Sequence, residues 1–132
     1  MESKKILVVD DDPDVRLFTK TVLEENGYRP IMAKNGREGE EAVRSDRPDL
    51  IVLDVLMPKE SGIRLYRNMK TNDKFKDIPI VILSGISEKS FLRSQKVLTE
   101  FGDAPVPAPE AYLEKPVDAE VLAGTIEKML ES

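Results

Sequence analysis

The sequence predicts an α/β fold: a doubly wound, five-stranded parallel sheet with helices on both faces. Three observations carry this. Five short apolar runs recur along the 132 residues, each separated from the next by a segment of helical spacing. Runs such as Leu50-Ile51-Val52-Leu53 are continuous rather than alternating, the habit of strands covered on both faces. Strands and helices alternating five times over call for right-handed crossovers between parallel strands. The strand order 2-1-3-4-5, with a switch point between the first and third strands, is the fold-level expectation for such a chain.

Each element follows from its residues. Ile6-Leu7-Val8-Val9 is the first strand and ends in Asp10-Asp11-Asp12. Pro13 then starts a helix, since its missing N–H has no partner in a first turn, and Asp12 is the natural N-cap. Val15, Phe18 and Val22 recur at helical spacing, and Asn26-Gly27 closes the helix. Residues 28–33 form a weaker second strand, and Pro30 puts it at an edge. Asn35-Gly36 opens a polar helix with Ala42 and Val43, which Arg47-Pro48-Asp49 ends. Leu50-Ile51-Val52-Leu53 follows and stops at Asp54, with Pro58 preventing continuation. The third helix carries Ile63, Leu65, Tyr66 and Met69. Ile80-Val81-Ile82-Leu83 ends in Ser84-Gly85, and a helix with Phe91, Leu92, Val97 and Leu98 follows. Gly102 to Pro109, with three prolines at alternating positions, reads as an extended, stiffened connection. Ala111-Tyr112-Leu113 is the fifth strand and runs into Lys115-Pro116. The last helix starts after Asp118 and carries Leu122, Ile126 and Leu130 on one face.

Composition removes several function classes. The formal charge is −5, so nothing invites a polyanion, and direct nucleic-acid binding is not expected. No apolar run reaches the length of a membrane span and no signal peptide precedes the first strand; no membrane partner is expected and the compartment is expected to be cytoplasmic. The chain has neither cysteine nor histidine. Thiol catalysis, disulfides, His-ligated zinc and a phosphohistidine on this chain are therefore excluded. One domain over residues 1–132, with no output domain visible, is the expectation.

The polar residues that end the strands are the candidate site: Asp10 and Asp11, Asp54, Ser84 and Lys115. In a parallel sheet they share one edge, around the crevice where the first and third strands diverge. Singly, each has a bland explanation as a cap, a turn residue or a surface charge. Together they pose an electrostatic problem. At an effective dielectric of about 20, two carboxylates roughly 4 Å apart repel by about 4 kcal/mol. Lys115 offers a single positive charge. A hard divalent cation complements the rest, since carboxylate oxygens suit Mg²⁺ and Mn²⁺. Such a cation beside a nucleophilic aspartate, a lysine and a hydroxyl is equipment for phosphoryl transfer.

Val9-Asp10-Asp11, Leu53-Asp54 with Met57-Pro58 and Gly62, Ser84-Gly85, and Lys115-Pro116 resemble the receiver domain of two-component response regulators, apparently a stand-alone one. The resemblance spans essentially the whole chain and implies the flavodoxin-like form of the predicted sheet. It implies a phosphoacceptor regulatory domain rather than an enzyme, one that assists its own phosphorylation and dephosphorylation. Asp54 would accept a phosphoryl group from a histidine kinase or phosphotransfer protein. Asp11 would ligate Mg²⁺ directly, Asp10 chiefly through water, and the Leu56 backbone carbonyl would complete the protein ligands beside Asp54. Lys115 would hold phosphoryl oxygens, and Ser84 would move towards them on activation. Tyr112 matches the switch aromatic of the surface formed by the fourth helix, fifth strand and fifth helix, and also reads as a strand residue packed on the last helix. Leu56 and Ile86 would flank the path of a hydrolytic water.

The chain also departs from the family. The segment between Ser84 and Lys115 is several residues longer than usual, the last helix lacks an arginine, and Ser61 stands where an aspartate is common. Two rivals remain open at this point. One is a Mg²⁺-dependent aspartyl-phosphate phosphatase of the haloacid dehalogenase type working through Asp10-Asp11-Asp12, although Asp14 is foreign to that motif. The other is an inert receiver-like binding module.

Overall fold

The computed structural model describes residues 3–131. Its elements are β1 (Lys5–Val9), α1 (Pro13–Glu25), β2 (Arg29–Ala33), α2 (Gly36–Asp46), β3 (Leu50–Leu53), a 3-10 turn (Pro58–Glu60), α3 (Ser61–Lys70), β4 (Ile80–Ser84), α4 (Glu88–Glu100), β5 (Ala111–Glu114) and α5 (Ala119–Glu131). The strands form one parallel sheet in the order β2-β1-β3-β4-β5, as expected for the flavodoxin-like arrangement. Pro30 sits opposite Ile6 in the edge strand β2, where a missing N–H is tolerated.

Successive strand side chains point to opposite faces, so the sheet has two cores. Leu7, Val9, Ile51, Leu53, Ile80 and Ile82 pack with Val43 of α2, Leu65, Tyr66 and Met69 of α3 and Phe91 of α4. Ile6, Val8, Leu50, Val52, Val81 and Leu83 pack with Val22 and Leu23 of α1 and Leu122 and Ile126 of α5. All four residues of β3 are buried. Each such side chain contributes about 1.5–3 kcal/mol, which explains why the central strands carry no polar residue until the sheet ends.

The helix starts are locally determined. The Asp12 side chain accepts the Asp14 N–H at 2.9 Å, with Pro13 in the first turn. Asn35 caps α2 through the Glu38 N–H at 2.9 Å, and Ser87 caps α4 through the Ser90 N–H at 3.1 Å. α2 and α3 touch at their starts, since a Cβ on Gly36 would lie 2.3 Å from the Ser61 carbonyl oxygen.

Two helices bury different residues from those their apolar spacing suggests. In α1 Thr19 is buried together with Val22 and Leu23, while Phe18 is exposed at the helix edge. In α4 Gln95 is buried beside Phe91, whereas Leu92 and Val97 face solvent. Gln95 is accommodated because its Oε1 accepts from the Arg67 guanidinium at 2.6 Å.

The connection from α4 to β5 has no regular structure but is tied to the body of the fold. The Tyr66 hydroxyl donates to the Pro107 carbonyl, Arg67 donates to the Ala104 carbonyl, and Val106 packs on the core. At its end, the Glu110 carboxylate accepts both Lys70 Nζ, at 2.7 and 2.8 Å, and the Ile80 N–H, at 2.8 Å. The Lys70 side chain is only 2% exposed, so its ammonium is tolerable only with this partner.

Glu110→Ala should therefore cost roughly 2–3 kcal/mol, below the usual range for a fully enclosed pair because Glu110 keeps some solvent contact. A lower urea midpoint with an unchanged slope checks this, together with faster amide exchange at Ala104, Val106 and Ala108. An unshifted midpoint would show that the pair contributes nothing.

Candidate functional site

The carboxyl edge of the sheet gathers the strand-terminating residues. Asp10 and Asp11 follow β1, Asp54 follows β3, Ser84 is the last residue of β4, and Lys115 follows β5. Asp54 reaches this edge because the chain after β3 presses against α3. A Cβ on Gly62 would stand 2.2 Å from the Asp54 carbonyl oxygen, so only glycine permits the approach.

Asp54 is 4% exposed and Ser84 is fully buried. One carboxylate oxygen of Asp54, Oδ1, accepts the Leu56 N–H at 2.8 Å and the Ser84 hydroxyl at 2.7 Å. The other, Oδ2, lies 3.2 Å from Lys115 Nζ. Lys115 also donates to Asp10 Oδ2 at 2.8 Å, and the second Asp10 oxygen accepts the Asp12 N–H at 2.9 Å. The Lys115–Pro116 peptide bond is cis. One lysine thus bridges two buried carboxylates that are otherwise held by backbone N–H groups and the Ser84 hydroxyl.

Electrostatics follow from this packing. Burial pushes the Asp10 carboxyl above its ordinary value, against the opposing pull of Lys115 and the Asp12 N–H, with the Asp54 charge adding to the rise. For Lys115 burial disfavours the charge, but the bond to Asp10 and the charges of Asp54 and Asp10 outweigh it, so the ammonium is held above its usual value. The Asp10 shift thus reports burial above all, whereas the Lys115 shift reports its two carboxylate neighbours.

Asp10, Asp11 and Asp54 each bring a carboxylate oxygen within 4.8 Å of the other two. Asp11 is the exposed member. A donor set made only of carboxylates, with a single lysine to balance it, fits a hard dication such as Mg²⁺. Beside Asp11 an open cleft of about 680 Å³, lined in part by Lys34, Arg37, Lys59 and Arg64, reaches the starts of α2 and α3.

All the residues singled out from the sequence meet at or beside this edge, with one difference in detail. Ser84, expected to move towards phosphoryl oxygens on activation, donates to Asp54 in their absence. Tyr112 packs not on the last helix but on α4, its ring 5.7 Å from that of Phe91, because β5 turns this position towards the α3–α4 face. Its hydroxyl donates to the Ile86 carbonyl at 2.6 Å, and its pKa is pushed up to about 12, mainly by burial and further by the charges of Glu114, Asp54 and Glu88. Leu56 is 63% exposed, and Ile86 is half-buried against the core. Arg16 was not anticipated: its guanidinium donates to the Asp10 carbonyl at 2.7 Å and anchors the acidic loop. Its place one turn into the helix that follows Asp10-Asp11-Asp12 was the available signal.

A family profile described as the response regulator receiver domain matches residues 6–127. The chain is 42% identical to response regulator MprA of Mycolicibacterium vanbaalenii over 61% of its own length, and spans 34% of that protein. It is 28% identical to sporulation initiation phosphotransferase F of Bacillus subtilis, covering 98% of this chain and 96% of the relative. The signal receiver domain of a signal transduction histidine kinase from Syntrophus aciditrophicus superposes with a TM-score of 0.81 at 32% identity, covering 98% and 91% of the two chains. Such domains take phosphoryl groups from histidine kinases or phosphotransfer proteins and generally bind Mg²⁺ at an acidic site. With its strand order, its acidic edge and this match, the chain belongs to the response regulator receiver domains of two-component signalling.

Proposed function

We propose that Asp54 is the phosphoacceptor, served by Asp10, Asp11, Ser84 and Lys115. The observation that carries this reading is the Asp54 carboxylate itself, buried at the strand end with donors on both oxygens. Fixed in this way, an Asp54 oxygen attacks the phosphorus of a partner's phosphohistidine in line. The new P–O bond forms as the P–N bond breaks, and its electron pair leaves on the imidazole nitrogen, which takes a proton from water. The chain has no histidine, so the donor belongs to a partner.

Lys115 would hold a phosphoryl oxygen after transfer, a role supported by its contact with Asp54. The Ser84 hydroxyl has one proton, and it turns from Asp54 Oδ1 to a phosphoryl oxygen once that oxygen is present. Mg²⁺, or Mn²⁺, held by these residues would supply positive charge to the transferred phosphoryl group. Asp11 would be the main side-chain ligand beside Asp54, with the Leu56 carbonyl completing the protein ligands. Asp10 acts through water, a division supported by both Asp10 oxygens being taken already. Tyr112 and Ile86 carry the change to the α4–β5–α5 surface through their shared hydrogen bond. No described helix is long and apolar enough to cross a membrane. The phosphatase alternative finds no support: Asp12, which it needs as an acid, caps α1 instead.

Asp54→Asn should abolish labelling by acetyl phosphate with Mg²⁺ while leaving the thermal midpoint near that of the parent. Labelling at the parent's level would end the assignment.

Asp11→Ala should weaken Mg²⁺ binding by at least about tenfold, measured by calorimetry, because even residues supporting a metal ligand carry that much. The apo fold should lose no stability, since one repelling charge is gone. Undiminished affinity would contradict the ligand assignment.

The phosphorylated form should be long-lived, because Leu56 and Ile86 offer an incoming water no hydrogen bond. A Leu56→Asn, Ile86→Glu double variant should lose phosphate roughly tenfold to a hundredfold faster, positioning of the water being the quantity changed. Equal decay of the two proteins would show that no apolar gate exists.

A further inference from the structure

Arg16 is the fourth residue of α1, the helix that begins at Pro13. Its guanidinium reaches back past the N-cap and donates to the Asp10 carbonyl at 2.7 Å. A helical side chain leans towards the N-terminus of its helix, which gives Arg16 this reach. Its own backbone N–H donates to the Asp12 carbonyl at 3.0 Å, and the Asp12 N–H donates to Asp10 Oδ1 at 2.9 Å. Residues 10–12 are thus closed into a small cycle between the end of β1 and the first turn of α1.

Charge alone does not explain this placement. A cation in the first turns of a helix faces the positive end of the macrodipole, the disfavoured end. Four aspartates, Asp10, Asp11, Asp12 and Asp14, precede Arg16 closely, yet its guanidinium forms an ion pair with no described residue. It takes a neutral peptide oxygen instead, one with no other donor among the described residues. That carbonyl belongs to the peptide plane leading into Asp11, so holding it sets the direction in which the Asp11 side chain leaves the backbone. Asp11 needs such support, because its exposed carboxylate has no hydrogen bond or ion pair of its own among the described residues. A guanidinium placed on that carboxylate would occupy an oxygen that a dication requires.

We infer that Arg16 is a positioning residue for the metal site: by holding the Asp10 carbonyl it aims the Asp11 carboxylate, and leaves it unpaired, for a divalent cation. The inference rests on the reading of Asp11 as the main side-chain ligand. Three roles for Arg16 differ in what they do to Mg²⁺ affinity. Its charge repels a dication, so an Arg16 acting by charge alone weakens binding, and its removal tightens it. An Arg16 that positions the loop does the reverse, since groups orienting a metal ligand carry about tenfold to a hundredfold in affinity. An Arg16 that only stabilises the fold leaves the affinity of the folded chain unmoved.

The test is a calorimetric titration of the unphosphorylated full chain with Mg²⁺, well below its unfolding temperature. Arg16→Met removes the donor and the charge, and Arg16→Gln leaves an amide that ends short of the Asp10 carbonyl. Both should bind Mg²⁺ roughly tenfold or more weakly than the parent. Arg16→Lys reaches further than the amide and should recover part of the loss. Asn26→Ala breaks the side-chain bond to the Val22 carbonyl at the far end of α1, so it should lower the thermal midpoint and leave Mg²⁺ affinity at the parent's level. Without metal, amide exchange at Asp12 should quicken in Arg16→Gln, because the Asp12 N–H is bonded within the same loop. In labelling by acetyl phosphate, Arg16→Gln should need about tenfold more Mg²⁺ for its half-maximal rate, and excess Mg²⁺ should restore that rate. Undiminished or tighter binding in Arg16→Met and Arg16→Gln would overturn the inference, and where one of them fails to fold the other decides. No recovery in Arg16→Lys, or an equal loss in Asn26→Ala, would also overturn it. A parent chain that binds no Mg²⁺ would overturn the ligand reading itself and the inference with it.

Discussion

Everything at the carboxyl edge of the sheet answers to the repulsion among Asp10, Asp11 and Asp54. Their oxygens come within 4.8 Å of one another, and two of the three residues are buried. Lys115 bridges Asp10 and Asp54, backbone N–H groups of residues 12 and 56 each take one carboxylate oxygen, and Arg16 secures the Asp10 carbonyl. The parallel topology makes this concentration possible. Strands pointing the same way deliver their terminal residues to one edge, and the two hydrophobic cores hold β1, β3 and β4 rigidly enough to resist the charges they carry.

A continuous series of contacts leads from Asp54 to the α4–β5 connection. Ser84 donates to Asp54, Tyr112 donates to the carbonyl of Ile86 two residues further on, and the Tyr112 ring lies against Phe91. Phe91 in turn meets Tyr66 edge-on at 5.4 Å, and the Tyr66 hydroxyl holds the Pro107 carbonyl. Contiguity alone does not couple two sites; some member must have two arrangements. On the proposed reading the Ser84 hydroxyl would be that member, because its single proton serves the Asp54 carboxylate here and would serve a phosphoryl oxygen instead. The long α4–β5 connection, a departure from the family pattern, lies at the far end of this chain of contacts.

What could be read from the sequence is what one dimension records. A continuous apolar run stopped by a charged or hydroxyl residue marks a buried strand and its exit, so the fold class and the gathering of Asp10, Asp11, Asp54, Ser84 and Lys115 were accessible, while the strand order came from the general habit of such folds. What escaped depends on partners far apart in the chain. Gln95 displaces Leu92 and Val97 from the inward face of α4 because Arg67, on another helix, pairs with it. Lys70 and Glu110 are forty residues apart, and neither suggests burial by itself. Thr19 lies inside while Phe18 lies at the rim, and Tyr112 faces α4 rather than α5, because helix rotation and strand register set orientation more finely than apolar spacing does.

The titration behaviour of the two bridged groups shows how the edge is balanced. A group whose folded pKa lies above its unfolded value favours folding below the unfolded value, and that contribution disappears as pH rises through the folded one. Both Asp10 and Lys115 are raised, but over different pH windows. The contribution of Lys115 is fully present at neutral pH and is lost only in the alkaline range. Asp10 favours folding only in acid, below the ordinary carboxylate range, and near neutrality its ionisation opposes burial. At neutral pH, then, the edge is held by one lysine against a surplus of negative charge. A cation that binds only the folded arrangement stabilises it by mass action. A small, hard dication would offset this charge better than a second lysine, because it carries twice the charge and suits carboxylate oxygens.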